Sequence, residues 1–236
     1  MKLLPKRWLI ILLLCLSTLP LAQAAAPLTT SATYNLFKSG QQVGIVTETF
    51  SRKGSRYEIL SETKAVGIFA LFAKGNIKLI SRGEVTKDGL RPLHFEHHRG
   101  ADPDKLIVAD FDWRKHILTM NYDGKTETAA LTPGTQDRIS RMYQFMFAPP
   151  HGKELAFPMT NGRNLELYRY LLADEAPLDT AAGKFNTLHY SKQHKPDEDG
   201  TELWLASDHH HFPVRILIEE SEGGKLEQKL TQLKFK

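Results

Sequence analysis

The sequence predicts a mainly β protein: a curved antiparallel sheet or half-barrel of about a dozen strands with one principal helix. Three observations predict it. Short segments of alternating apolar and polar residues recur along the chain, bounded by turns such as Ser39-Gly40, Asp88-Gly89 and Asp123-Gly124. One segment, Thr135 to Phe147, instead carries its apolar residues at helical spacing. Trp204 to Ile218 reads as a strand, a histidine-rich corner and a second strand.

Taken in order, Tyr34 and Leu36 alternate before the first turn, and Val43 to Arg52 follows with Val43 and Ile45 on one face. Lys53-Gly54-Ser55 turns the chain into Arg56 to Val66, where Tyr57, Ile59 and Ser61 alternate with Glu58, Leu60 and Glu62. Gly67 to Ala73 is apolar on both faces, either a buried strand or a short helical crossing. A strand over Gly75 to Val85 meets Leu90 to His98 through Asp88-Gly89, a strong hairpin signal. A polar loop, Arg99 to Lys105, leads to a hairpin of Leu106 to Trp113 and His116 to Tyr122, then to Lys125 to Leu131. Consecutive hairpins favour an antiparallel meander.

Ile139, Met142, Tyr143 and Met146 form the apolar stripe of the predicted helix. Thr135 is placed to cap it, Asp137 suits its positive end, and Pro149-Pro150 stops it. A lone helix with one apolar stripe needs a sheet to cover, so it should plug or lid the curved sheet. Pro149 to Arg163 has no clear period and reads as a long, functional loop. Strands follow at Asn164 to Leu172 and Gly183 to Ser191, with a solvated turn at Lys195 to Gly200. In the ending, Leu203 and Leu205 share one face, and Phe212, Val214, Ile216 and Ile218 alternate with Pro213, Arg215 and Leu217. Pro213 marks a strand start or an edge. In the final strand, Lys225 to Lys236, Leu226 and Leu230 have one parity and Leu233 and Phe235 the other; a bulge near Thr231 reconciles them.

The first residues predict export. Lys2, Lys6 and Arg7 precede the apolar run Trp8 to Leu16, and Ala22-Gln23-Ala24 offers small residues for cleavage near Ala24. The run is too short for a membrane span, so residues 1–24 read as a signal peptide and 25–236 as a single periplasmic domain. Removing three positive charges from the net +4 leaves about +1, so no nucleic-acid partner is inferred. The only cysteine, Cys15, leaves with the leader, which excludes disulfide and thiolate chemistry from the mature chain.

The leader, the Q-D-R-I-S-R-M-Y-Q-F helix, the Gly183 strand and the W-x-x-x-D-x-x-x-x-P-V-R-I ending together resemble an exported proteobacterial family, domain of unknown function 3108. The ending is also distantly similar to periplasmic lipoprotein carriers, in which a curved antiparallel sheet with a helical lid holds an acyl chain. The first resemblance implies no catalytic residues. The second implies a half-barrel fold and an apolar ligand.

The candidate chemistry is sparse. His94, Glu96 and His98 point to one strand face, and His209 to His211 sit at a corner; both read as polar surface, and no metal site is expected. Asp110 and Asp112, alternating with Phe111 and Trp113, resemble a carboxylate pair but fit a solvent face better. Asp137 and Ser140 lack a nucleophile elbow or a base, and no phosphate loop, dinucleotide fingerprint or H-E-x-x-H occurs. Ile68, Phe69, Leu71, Phe72, Met142, Phe145, Met146 and Phe147 could line an apolar cavity or close a plain core. Phe69, Phe72, Met142 and Met146 are singled out from these, joined by Tyr143. With Trp204, and with Arg215 as an anion contact or a cross-strand ion partner, they form the candidate ligand set.

The reading is therefore a non-catalytic, monomeric binding or carrier protein for a lipid or acyl chain, without cofactor. An envelope assembly factor and an Asp/Glu hydrolase of envelope polymers are the alternatives.

Overall fold

The computed structural model describes residues 26–236 apart from Pro196. The expected leader and Cys15 lie outside the described residues. Fifteen strands form one sheet. The first eight make a meander: β1 (Thr29–Lys38), β2 (Gln41–Lys53), β3 (Arg56–Ala65), β4 (Ile77–Thr86), β5 (Gly89–Arg99), β6 (Ile107–Asp112), β7 (Ile117–Tyr122) and β8 (Lys125–Ala130). A two-residue strand, β9 (Gln136–Asp137), leads into the helix α1 (Ser140–Phe147). A second meander follows: β10 (Glu154–Thr160), β11 (Leu165–Thr180), β12 (Gly183–Lys192), β13 (Gly200–Ala206), β14 (Phe212–Glu219) and β15 (Lys225–Phe235). The meanders join where β1 pairs with β15, so the sheet runs β8 to β1, then β15 down to β9.

Alternation decides which face is buried. β2 buries Val46, Glu48 and Phe50, β3 buries Tyr57, Ile59 and Ser61, and β14 buries Phe212, Val214 and Ile216. The helix lies against β5 and β14. Tyr143 stacks on Phe50 at 5.7 Å and meets Phe212 edge-on at 5.5 Å. Fully burying an aromatic or aliphatic side chain of this size stabilises by about 1.5–3 kcal/mol, so this contact anchors the helix. Two glutamines add direction. Gln144 accepts from Leu90 N and donates to Asp88 O, and Gln136 donates to Leu90 O. Gly89 makes room: with φ +103°, a Cβ there would fall 2.4 Å from the Gln144 amide.

The sheet's edges are β8 and β9, so no ladder closes it. Side chains span the gap instead. Gly162, in the β10–β11 turn, packs so close to Ile107 that a Cβ would lie 2.5 Å from its Cγ2. Next to it, Arg163 pairs with Asp123 at the β7–β8 turn (Nη2–Oδ1 3.0 Å).

Several expectations hold. The β1–β15 register slips between Thr33 and Tyr34, which are opposite Gln232 and Leu230, so Thr231 is the bulged residue. Its hydroxyl donates to Thr33 O at 3.0 Å. Pro213 stands at a strand start, beside another slip, between Trp204 and Leu205. Others need correction. The Pro149 to Arg163 stretch is no structureless loop, because β10 occupies Glu154–Thr160; Pro158 and the run of apolar residues on both faces obscure the strand's period. β11 runs past Leu172 to Thr180, carried over a bulge at Ala173. In β2, Val46, Glu48 and Phe50 are buried while Val43 and Ile45 are half-buried, and Val43 is the extra residue at the slip between Leu36 and Phe37. Gly67–Leu71 is a 3₁₀ turn, the helical-crossing alternative, and its outer side chains are exposed rather than buried.

The helix is also shorter than expected, because Gln136 and Asp137 pair in parallel with Met159 and Thr160. Thr135 does not cap it; its hydroxyl bonds to Thr132 O. Asp137 does the capping. Its Oδ1 accepts from Ile139 N (2.9 Å) and Ser140 N (2.7 Å), and its Oδ2 accepts from Ser81 Oγ on β4 (2.5 Å). Ser81 in turn meets the Tyr57 hydroxyl at 3.1 Å. Asp137→Ala would strand three buried donors and should lower stability by about 3 kcal/mol in urea unfolding. Ser81→Ala, which removes one, should cost about 1 kcal/mol.

Candidate functional site

The helix divides the interior of the curved sheet. On one side Ile139 and Met142, with Arg138 and Arg141, face a cavity of about 570 Å³. On the other side, Gln136 and Gln144 border a cavity of about 480 Å³ with Trp113 and His116. The first is continuous with a mouth of about 740 Å³ through the shared residues Leu36, Thr63, Ile77 and Arg99. Volumes in this range suit a small molecule, which takes roughly 300–1,000 Å³.

On the sheet side the first cavity is lined by the apolar Leu36, Val46, Ile77, Leu79, Ile216 and Ile218, with Lys38, Glu48, Ser61, Glu220 and Gln228 among them. Its helix side is cationic. Arg138, just before the helix, and Arg141, in its first turn, both line this cavity. Arg141 is buried; its Nη1 donates to the Tyr170 hydroxyl, and its guanidinium carbon lies 5.8 Å from the Tyr168 ring. Among the described residues, neither arginine has an acidic partner within salt-bridge distance, and neither does Arg99 at the end of β5. Burial, then Arg141, lowers the Arg138 pKa, with Arg99 adding to the effect and the Tyr168 phenol opposing it. His97, also on β5, is pushed down to about 4 by burial and by Arg138, Arg99 and Arg163. It is therefore neutral at pH 7. A polar end built from cations that repel one another is an unsatisfied arrangement, which an anion would complete.

Glu48 is the buried acid of this cavity. Ser61 Oγ donates to Oε1 (3.1 Å) and Tyr143 Oη to Oε2 (3.2 Å). Burial pushes its pKa up to about 7, against the pull of those two bonds. Glu48 bonds to Ser61 and Tyr143 and forms no ion pair with Arg138 or Arg141.

The predicted ligand residues separate into four groups. Met142 lines the inner cavity and Phe69 the mouth. Tyr143 and Met146 are buried in the core, and Phe72 is 77% exposed. Trp204 and Arg215 lie on the face opposite Leu203 and Leu205. There His189 stacks on Trp204 at 4.2 Å, the Arg215 guanidinium covers its other side at 4.2 Å, and Arg215 pairs with Glu227 at 2.7 Å. The cross-strand ion pair is the role Arg215 has.

The other candidates are engaged elsewhere. Glu96 takes His94, His98 and Arg82 together, a set that already includes a cation. Of the corner histidines, His209 packs edge-on against Phe185 and His210 against Phe235. Asp110 bonds to His94 Nδ1. Asp112 accepts from Lys115 N, a bond that holds its pKa down, the opposite of what a general acid needs. The sequence reading passed over Arg138, Arg141, His97, Arg99 and Glu48. The available signals were an arginine pair spaced i, i+3 beside the apolar stripe, and a glutamate with the parity of Val46 and Phe50.

The profile of a family described as "Protein of unknown function (DUF3108)" matches residues 29–231. No curated protein matches the chain. Among solved structures, a β-barrel-like protein of domain of unknown function DUF1849 from Brucella abortus is similar, with a TM-score of 0.60 and 10% identity over 90% of this chain and 100% of that one. A protein provisionally described as exported, with a YmcC-like fold, from Bacteroides fragilis aligns over 89% of this chain and 97% of that one, at a TM-score of 0.37 and 13% identity. The first likeness supports the fold. Among the described residues, no helix is long and apolar enough to cross a membrane.

The buried acids set a pH dependence. Glu48 titrates near 7 and Asp137 near 6 in the folded protein, both raised chiefly by burial. Unfolded carboxyls titrate near ~4. Between those values the folded state holds protons that the unfolded chain has lost, so these groups make stability fall as pH rises. His97, depressed to about 4, acts in the opposite direction below its unfolded value of about 6.5. The clean readout is therefore a variant. Glu48→Gln should match wild type below about pH 4 and gain on it as pH rises, by on the order of 3 kcal/mol near pH 8 in urea unfolding.

Proposed function

Because the chain belongs to the DUF3108 family, whose function is unknown, its role has to be read from its own cavity. We propose that it is a non-catalytic carrier or binding protein for an anionic amphiphile such as a fatty acid or an acidic lipid. The observation that carries this reading is the pairing of the apolar patch Leu79, Met142 and Ile216 with the Arg138–Arg141 end, which has no acid within salt-bridge distance among the described residues. An acyl chain would lie along Leu79, Met142 and Ile216, and its anionic head would meet the arginines. Arginine suits this task, because its planar fork binds a carboxylate or phosphate through two parallel bonds. The basic head, apolar run and Ala22-Gln23-Ala24 of the leader support export to the periplasm, where such a carrier would act.

Titration with a fluorescent fatty acid after delipidation tests the proposal. Saturable binding that an unlabelled fatty acid displaces is expected; a folded sample that binds nothing at high micromolar ligand would refute it. Arg138→Gln should weaken binding about tenfold, since one charge-assisted contact is worth roughly 1.5–3 kcal/mol. The same change should leave stability unchanged or raised, because it relieves repulsion with Arg141. A loss of binding only in proportion to a loss of stability would contradict a direct role.

A further inference from the structure

The segment between β3 and β4 is built in a way that the interior cavity does not explain. It crosses the cavity mouth as the 3₁₀ turn Gly67–Leu71, followed by Phe72 to Asn76. Both stems are fastened: Val66 N donates to Val43 O (3.1 Å), and Ala101 N donates to Lys74 O (2.8 Å). Between the stems, Phe69 turns inward to the mouth, while Ile68, Leu71 and Phe72 are 61%, 80% and 77% exposed. Three large apolar side chains directed to solvent from one fixed turn lose favourable burial, and such a cluster marks a contact surface.

We propose that this turn is a membrane-contact surface, which seats the cavity mouth on an anionic lipid bilayer. The proposal rests on the carrier reading for its purpose, but its own support is separate. The first support is charge. Lys64 and Lys78 share the single acid Glu62, and Lys74 and Arg99 have no acidic partner among the described residues. An apolar tip ringed by excess cations is the pattern of a protein that inserts between lipid head groups and is held by acidic lipids. The second is size. A stable protein partner needs roughly 800 Å² from each side, which three side chains on a narrow turn do not supply. The third is continuity. Phe69, Ala73, Lys74 and Gly75 of the same segment line the cavity mouth, so a bilayer touching the turn would face the opening through which a lipid passes. The first described residues lie at the opposite end of the sheet, where Leu28 N donates to Lys236 O, and do not reach the turn.

The test is co-sedimentation of the purified protein with vesicles of phosphatidylcholine alone, or of phosphatidylcholine mixed equally with phosphatidylglycerol. Wild type should pellet with the mixed vesicles and less with the neutral ones. The double variant Leu71→Ser, Phe72→Ser alters only exposed side chains, so it should melt as wild type does. Its partitioning should fall about tenfold or more. Lys74→Glu should reduce partitioning severalfold on the mixed vesicles and leave the neutral ones unchanged. Fatty-acid binding is measured on the same samples and should survive in the Leu71→Ser, Phe72→Ser variant, whose side chains do not line the cavity. If wild type fails to pellet with the mixed vesicles, or the double variant pellets equally well, the membrane inference is overturned, whatever the fatty-acid result. If vesicle binding behaves as expected while wild type binds no fatty acid, the contact surface stands and the carrier reading fails. If wild type is instead a dimer that the double variant dissolves, the turn is a protein interface and the inference is wrong.

Discussion

The buried carboxylate of Asp137 is the contact on which the site depends. Taking a carboxylate out of water is costly unless it is fully bonded. Asp137 meets that condition with two helix amides and the Ser81 hydroxyl. The consequence is geometric. The helix start is tied to β4 at one point, and Arg138 and Arg141, one and four residues later, are fixed against the cavity. The apolar stripe of the helix only demands contact with the sheet. The carboxylate decides where along the sheet that contact is made, because a hydrogen-bonded acid has one satisfied position and an apolar face has many.

From this constraint the rest of the site follows. Tyr143, held between Phe50 and Phe212, carries its hydroxyl to Glu48. Gln144 and Gln136 grip the β4–β5 hairpin from the other side. The interior is therefore filled in the middle and open beyond the helix start. The open part is where the positive charge collects. A protein that only needed a stable core would gain by replacing these arginines with apolar residues. Their presence beside a cavity is what links the fold to a ligand.

Much of the fold was legible in the sequence, for a physical reason. Period-two alternation and Asp-Gly turns are local, and they report strands and hairpins directly. Even the Thr231 bulge could be read, from the parity conflict between Leu230 and Leu233. Three kinds of feature were not legible. β10 was hidden because Pro158 broke its pattern, and β9 because two residues carry no period. The surroundings of Trp204 were not legible because they come from neighbouring strands: His189 and Arg215 cover it from the face opposite Leu203 and Leu205. Arg138 and Arg141 were overlooked because an arginine beside an apolar stripe ordinarily faces water. That they face a cavity depends on the sheet's curvature, a non-local property.

The arginine end and the apolar patch beside it should together hold one anionic amphiphile. A crystal structure of the protein loaded with a long-chain fatty acid tests it most directly. The account predicts the carboxylate within hydrogen-bonding distance of Arg138 or Arg141 and the chain against Leu79, Met142 and Ile216. A fatty acid bound instead in the Trp113 cavity, or on the outer face of the sheet, would contradict it.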